Sequence, residues 1–155
     1  AADRLARDAS RAADVALAID RADAATTRAA YDIRHRLLLA RSFERERSLG
    51  GVDRALGAID DAFDIAPLEP TSRFEHARLL SLRAAITGTS DDRLAASTAW
   101  DDVIASAPNC ARCHLGAGLA ALERGDIDAA RDSVHVAADL GNRDAIAALE
   151  QVGQN

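Results

Sequence analysis

Residues 111–144 read ARCHLGAGLAALERGDIDAARDSVHVAADLGNRD. Two apolar runs with helical spacing flank Arg124, Gly125 and Asp126. The glycine ends one helix and the aspartate caps the next, so the segment reads as a helical hairpin. In the second run Ala130, Val134 and Ala137 recur at spacings of four and three, and Asn142 marks a turn. Thirty-four residues upstream the same places hold Ala96, Trp100, Val103 and Pro108. The pattern returns at Ala55, Ile59, Ala62 and Pro67. Two antiparallel helices that pack closely need small residues where their axes approach. A larger residue between them fills the groove of the next pair.

Outward from this unit, the chain reads as helices separated by short breakers. Residues 1–29 form one helix or two, with Leu5, Ala9, Ala12, Ala16 and Ile19 on a stripe. Residues 31–48 form another, ended by Gly50 and Gly51. A helix from Val52 to about Ile65 carries Ala55, Leu56, Ile59 and Phe63, and Pro67 and Pro70 bracket the loop after it. Ser72 and Glu75 have the spacing of a capping box for a helix running to Thr87. Asp91 or Asp92 caps a helix through Ala105, with Leu94, Ala96, Ala99, Trp100 and Val103 inward. Asn142 or Arg143 opens a terminal helix. The expectation is seven or eight helices in a single all-α domain over 1–155. Irregular helices occupy 1–50 and repeat-like pairs occupy 51–152.

Composition agrees. Alanine supplies 37 of 155 residues, and Leu, at 17, outnumbers Ile and Val together. This is helix material and excludes most all-β folds. The net charge of -6 opposes general nucleic-acid binding. No apolar run is long enough to span a membrane, and no secretory leader pattern is visible. The start at Ala1, without Met, reads as a processed product or an excised segment.

The small–large–small sets, with Gly118 and Gly125, resemble the tetratricopeptide repeat family. The best unit is 111–144, and the resemblance covers 51–152. It implies antiparallel hairpins stacked as a right-handed solenoid, whose first helices line a peptide- or helix-binding groove. In the best unit that places Arg112, Leu115, Leu119, Leu122 and Glu123 on the groove. In the preceding unit it places Phe74, Arg78, Ser81 and Leu82 there. The preceding unit departs from the pattern, its first helix and loop being about seven residues longer. Residues 72–80 also resemble a helix that opens late repeats in LuxR/MalT-type bacterial regulators, in which such repeats sense or bind a partner.

The strongest chemical string is Cys110-Ala111-Arg112-Cys113-His114, the C-x-x-C-H spacing of c-type haem attachment. Two thiols three apart can bond the two vinyl groups, and the histidine can supply an axial nitrogen. There is no methionine for the sixth position, which leaves His35, His76 or His135, or a five-coordinate iron. The same residues could instead hold zinc or copper with a remote fourth ligand. The competing reading makes Cys113 and His114 ordinary first-helix positions. A redox CxxC would need the strand-to-helix setting of thioredoxin-like folds.

Arg34, Arg41 and Arg45, with Arg36 and Arg47 nearby, form a basic cluster. It is either a solvated face or a contact for an anionic peptide or phosphate. The sequential pairs Asp60-Asp61, Asp91-Asp92 and Asp101-Asp102 point to different faces and do not make an acid–base pair. No phosphate loop, HExxH or nucleophile elbow is present. The sequence therefore reads as a non-enzymatic protein- or peptide-binding module of a bacterial system, without cofactor, nucleic acid or membrane insertion. Haem or metal binding in an electron-transfer or assembly protein is the alternative. The compartment is cytoplasmic on the first reading and periplasmic if the string carries haem.

Overall fold

The computed structural model describes residues 2–28, 32–67 and 69–153. Eight helices account for its regular structure among those residues: α1 (Ala2–Arg28), α2 (Ile33–Glu44), α3 (Leu49–Ile65), α4 (Pro70–Thr87), α5 (Ser90–Ser106), α6 (Ala111–Glu123), α7 (Ile127–Asp139) and α8 (Arg143–Gly153). The chain forms two compact units, residues 1–72 and 73–155.

In the first unit α1 packs on α2, and α2 forms a hairpin with α3. Leu39 and Ala40 of α2 and Val52, Ala55, Leu56, Ala58, Ile59 and Ala62 of α3 make the core. The double glycine does not break a helix here, contrary to the sequence expectation. The α2–α3 turn falls at residues 45–48, where Arg47 takes a left-handed φ of 52°. Ser48 caps α3 by accepting from the Gly51 N–H at 3.0 Å. Gly51 is needed inside the first turn, because a Cβ would stand 2.6 Å from the Phe43 carbonyl oxygen. Among the described side chains of α1, Ala22 and Thr26 are buried, whereas Ala12 and Ala16 of the expected stripe are exposed and Ile19 is half-buried. The Leu5 and Ala9 side chains lie outside the described ones.

In the second unit α5 packs on α6, α6 on α7 and α7 on α8. The small–large–small positions are the buried faces of the second helices. Ala96, Trp100 and Val103 are buried on α5, and Ala130 and Ala137 on α7 with Val134 half-buried. Each buried methyl stabilises by only about 0.8 kcal/mol. Alanine interfaces therefore depend on close approach of the backbones, and glycine marks the tightest places. A Cβ on Gly118 would meet Val134 Cγ2 at 3.0 Å and the Ala130 carbonyl oxygen at 3.1 Å.

Two caps differ from the sequence reading. Helix α4 opens at Pro70, whose missing N–H costs nothing in the first turn. Its cap is the Glu69 carboxylate, which accepts from the Ser72 N–H at 2.6 Å. Ser72 is fully buried with its N–H given to Glu69, and Glu75 pairs with Arg78. Burial opposes ionisation of Glu69, but bonds from Ser72 and Thr71 outweigh it and hold the carboxyl below its usual range. Helix α5 is capped by Thr89, not by an aspartate. Asp92 closes the box from inside, accepting from Thr87 Oγ1 at 2.6 Å and Thr89 Oγ1 at 2.8 Å. Those two hydroxyls hold its carboxyl below the ordinary value. Leu94, expected inward on this helix, is 60% exposed.

Candidate functional site

The groove residues divide into two groups. Arg112, at the start of α6, holds its guanidinium over the Phe74 ring of α4, with Cζ 4.2 Å from the centroid. Phe74 meets Trp100 of α5 edge-on, at 5.3 Å between centroids and 76° between planes. Trp100 in turn donates its indole N–H to Ser81 Oγ at 2.9 Å. Arg112, Phe74, Trp100 and Ser81 thus form one chain of contacts linking α6, α4 and α5. The half-buried Ser81 hydroxyl accepts this bond and donates to the Ala77 carbonyl oxygen, and Arg78 pairs with Glu75 at 2.8 Å. Leu82 is half-buried.

Along α6 the pattern is different. Leu115 is half-buried, while Leu119 and Leu122 are each 53% exposed and Glu123 is exposed. Helix α6 buries Cys113, Gly118, Ala120 and Ala121, so its small residues face the neighbouring helices. Leu115, Leu119 and Leu122 fall at i, i+4 and i+7, a single stripe on the helix. Arg112 and Glu123 bound it.

Cys110 and Cys113 are joined in a disulfide. Cys113 is 2% exposed and belongs to the cluster of Ala77, Trp100, Val103 and Ala120. Cys110 is half-buried and is the N-cap of α6. His114 lies with Nε2 2.8 Å from the Pro108 carbonyl oxygen. Among the described residues no three His, Cys, Asp or Glu side chains converge to hold a metal. In this structure the two sulfurs are bonded to each other and the His114 imidazole lies against the Pro108 carbonyl oxygen.

In the first unit, a cleft of about 650 Å³ runs between α1 and the α2–α3 turn. Ala12, Val15, Ala16 and Ile19 supply its apolar wall, and Arg11, Arg45, Arg47 and Arg54 stand around it. Arg54 is tied to Glu46 and lies over the Phe43 ring, 4.8 Å from the centroid. Elsewhere in the basic cluster, Arg34 and Arg41 line a second cleft together with Asp32, His35, Leu37 and Leu38. Arg34 pairs with Asp32 and Arg36 with Asp61. The sequence did not reveal this cleft, because no spacing within one helix encodes the meeting of α1 with residues 45–54.

No protein-family model matches the sequence, and neither does any curated protein. Solved structures do match. A thermophilic TPR protein of Thermus thermophilus, TTC0263, aligns at a TM-score of 0.73 and 16% identity, covering 96% of this chain and 77% of that one. A double mutant of MamA RS-1 aligns at a TM-score of 0.67 and 16% identity, covering 90% of this chain and 72% of that one. The chain has a tetratricopeptide-like, all-helical hairpin fold. The likeness covers nearly the whole chain, including the helices before residue 51, where the sequence pattern is faint. No helix among the described residues is long and apolar enough to cross a membrane.

Proposed function

We propose that this chain is a protein-interaction module that binds a helix or an extended peptide along α6. The observation that carries the reading is the stripe of Leu115, Leu119 and Leu122, with its outer two leucines 53% exposed. An apolar row bounded by Arg112 and Glu123 suits an amphipathic segment whose anchors recur at helical spacing. The Arg112–Phe74 stack extends the surface to α4. Arg78 and Ser81 belong to the support of that surface, since their polar groups are engaged with Glu75 and Trp100. The tetratricopeptide-like fold supports the reading as scaffold, while the function lives in the side chains displayed on it.

Affinity capture with Leu119→Asp and Leu122→Asp tests this reading. Both positions face solvent, so the variants are expected to fold and to lose partners that the unaltered chain retains. Folded variants that keep every partner at unaltered affinity would show that α6 is not the site.

A second reading, haem c or zinc bound by Cys110, Cys113 and His114, is favoured by the C-x-x-C-H string alone. It requires the disulfide to open and Cys113 to leave the core. Expression with an export signal and haem-maturation machinery tests it. A red protein that keeps its haem through denaturation supports the reading, and a colourless, metal-free product removes it.

A further inference from the structure

The Cys110–Cys113 bridge is placed unlike a structural staple. It closes a loop of only four residues, from the N-cap of α6 into its first turn. Such a short link restricts the unfolded chain far less than a bridge between distant elements. It also joins two residues that the helix already holds together, because the Cys113 and His114 N–H groups both donate to the Cys110 carbonyl oxygen. The hairpin core does not depend on the bond either. Cys113 contributes to it as a small buried side chain against Trp100, Val103, Ala77 and Ala120.

The two sulfurs also differ in access. Cys113 is 2% exposed, whereas Cys110 is half-buried at the mouth of the α5–α6 loop. The Cys110 side chain stands at the N-cap of α6 and makes no capping hydrogen bond to the first N–H groups of the helix. A thiolate formed there is favoured by those donors and by the positive end of the helix dipole.

We propose that Cys110–Cys113 is a redox-active disulfide that exchanges with an external dithiol through Cys110, the start of α6 after the α5–α6 loop taking the place of the strand-to-helix setting of thioredoxin-like folds. A thiolate of the donor attacks Cys110 Sγ, and a mixed disulfide forms. The Cys110–Cys113 bond breaks, and Cys113 Sγ leaves with the electron pair and takes a proton from water. The donor's second thiol then loses its proton and attacks the donor sulfur of the mixed disulfide. Cys110 leaves as a thiolate and is protonated. The bridge gains two electrons and two protons, and the donor dithiol is oxidised to its own disulfide. The reverse sequence reoxidises the pair. Cys110 is the exchanging sulfur and Cys113 the resolving one.

The full-length chain is equilibrated in glutathione buffers of graded ratio, alkylated with a maleimide and weighed intact. Both thiols are expected to appear together in one two-electron transition, with the far-ultraviolet circular dichroism unchanged. In Cys113→Ser the remaining Cys110 is expected to react with Ellman's reagent at least roughly tenfold faster than Cys113 in Cys110→Ser. Cys113→Ala, which keeps a small apolar side chain in the core, replaces the serine variant if that one does not fold. A bridge that survives excess dithiothreitol in the folded chain overturns the proposal. So do equal rates at the two cysteines, or a chain whose cysteines are both blocked by covalent haem.

Discussion

The Trp100 indole N–H, reaching from α5, is bonded to Ser81 Oγ on α4 at 2.9 Å. The largest side chain in the second unit is thereby fixed at its polar edge as well as by its faces. Removing the ring leaves a cavity among Phe74, Ala77, Val103 and Cys113. Trp100→Ala is expected to cost about 3–5 kcal/mol, measured by denaturant unfolding. Ser81→Ala keeps the packing and leaves a buried donor without an acceptor, at about 1–3 kcal/mol. A loss well below 1 kcal/mol for the tryptophan change would contradict this placement.

Gly116 lies against the same ring. A Cβ there would lie 2.5 Å from Trp100 Cζ2 and 2.6 Å from Cη2, both part of a rigid indole. Gly116→Ala should therefore destabilise by about 1–3 kcal/mol despite its better helix propensity. In a Trp100→Ala background the obstacle is gone, and the same change should become neutral or stabilising. The difference between the two backgrounds, read as a double-mutant cycle, measures the contact.

Gly57 is the complementary case. It sits on an exposed face inside α3, and a Cβ added there would meet nothing within 4 Å. Gly57→Ala is expected to stabilise by up to about 1 kcal/mol through reduced freedom of the unfolded chain. A thermal melt of the variant checks this.

Asp32 sets an acid-range dependence. The Arg34 side chain, bonded at 3.0 and 2.6 Å, and the Arg34 N–H hold the Asp32 carboxyl down at about 2, from an ordinary 3.8. A depressed folded-state value means that the stabilisation is complete above the ordinary value. It is then lost as pH falls through the window from 3.8 to about 2. Asp32→Asn retains a capping oxygen without the charge, so it should flatten helicity against pH in that window. A circular dichroism titration in which both chains respond identically would assign the acid transition to other carboxylates. Asp92 and Glu69, whose values are also lowered, are the next candidates.

The hairpins were legible in the sequence wherever one helix carried its own period. Ala55, Ile59 and Ala62, and Ala96, Trp100 and Val103, are buried as the spacing requires. The ends were less legible, because propensity is ambiguous about capping. Gly50 and Gly51 read as a stop, yet the tight approach of Gly51 to Phe43 uses the glycine inside a helix. Thr89 and Asp92 share one box, so the aspartate looked like the cap when the threonine holds that place. In the groove, the Leu115–Leu119–Leu122 stripe could be read from spacing, whereas the engagement of Ser81 with Trp100 depends on the approach of two helices. The spacing of Cys110 and Cys113 is compatible with a bridge as well as with a haem attachment, and in the fold the two sulfurs are joined in a bridge.

Trp100 is the single tryptophan of the chain and lies within residues 73–155. Selective indole excitation therefore follows the melting of that unit alone, while circular dichroism follows the helices of both. The protein carries a built-in means of asking whether its two units unfold together. Superimposed transitions from the two signals would mean one cooperative event, and separated midpoints would mean two.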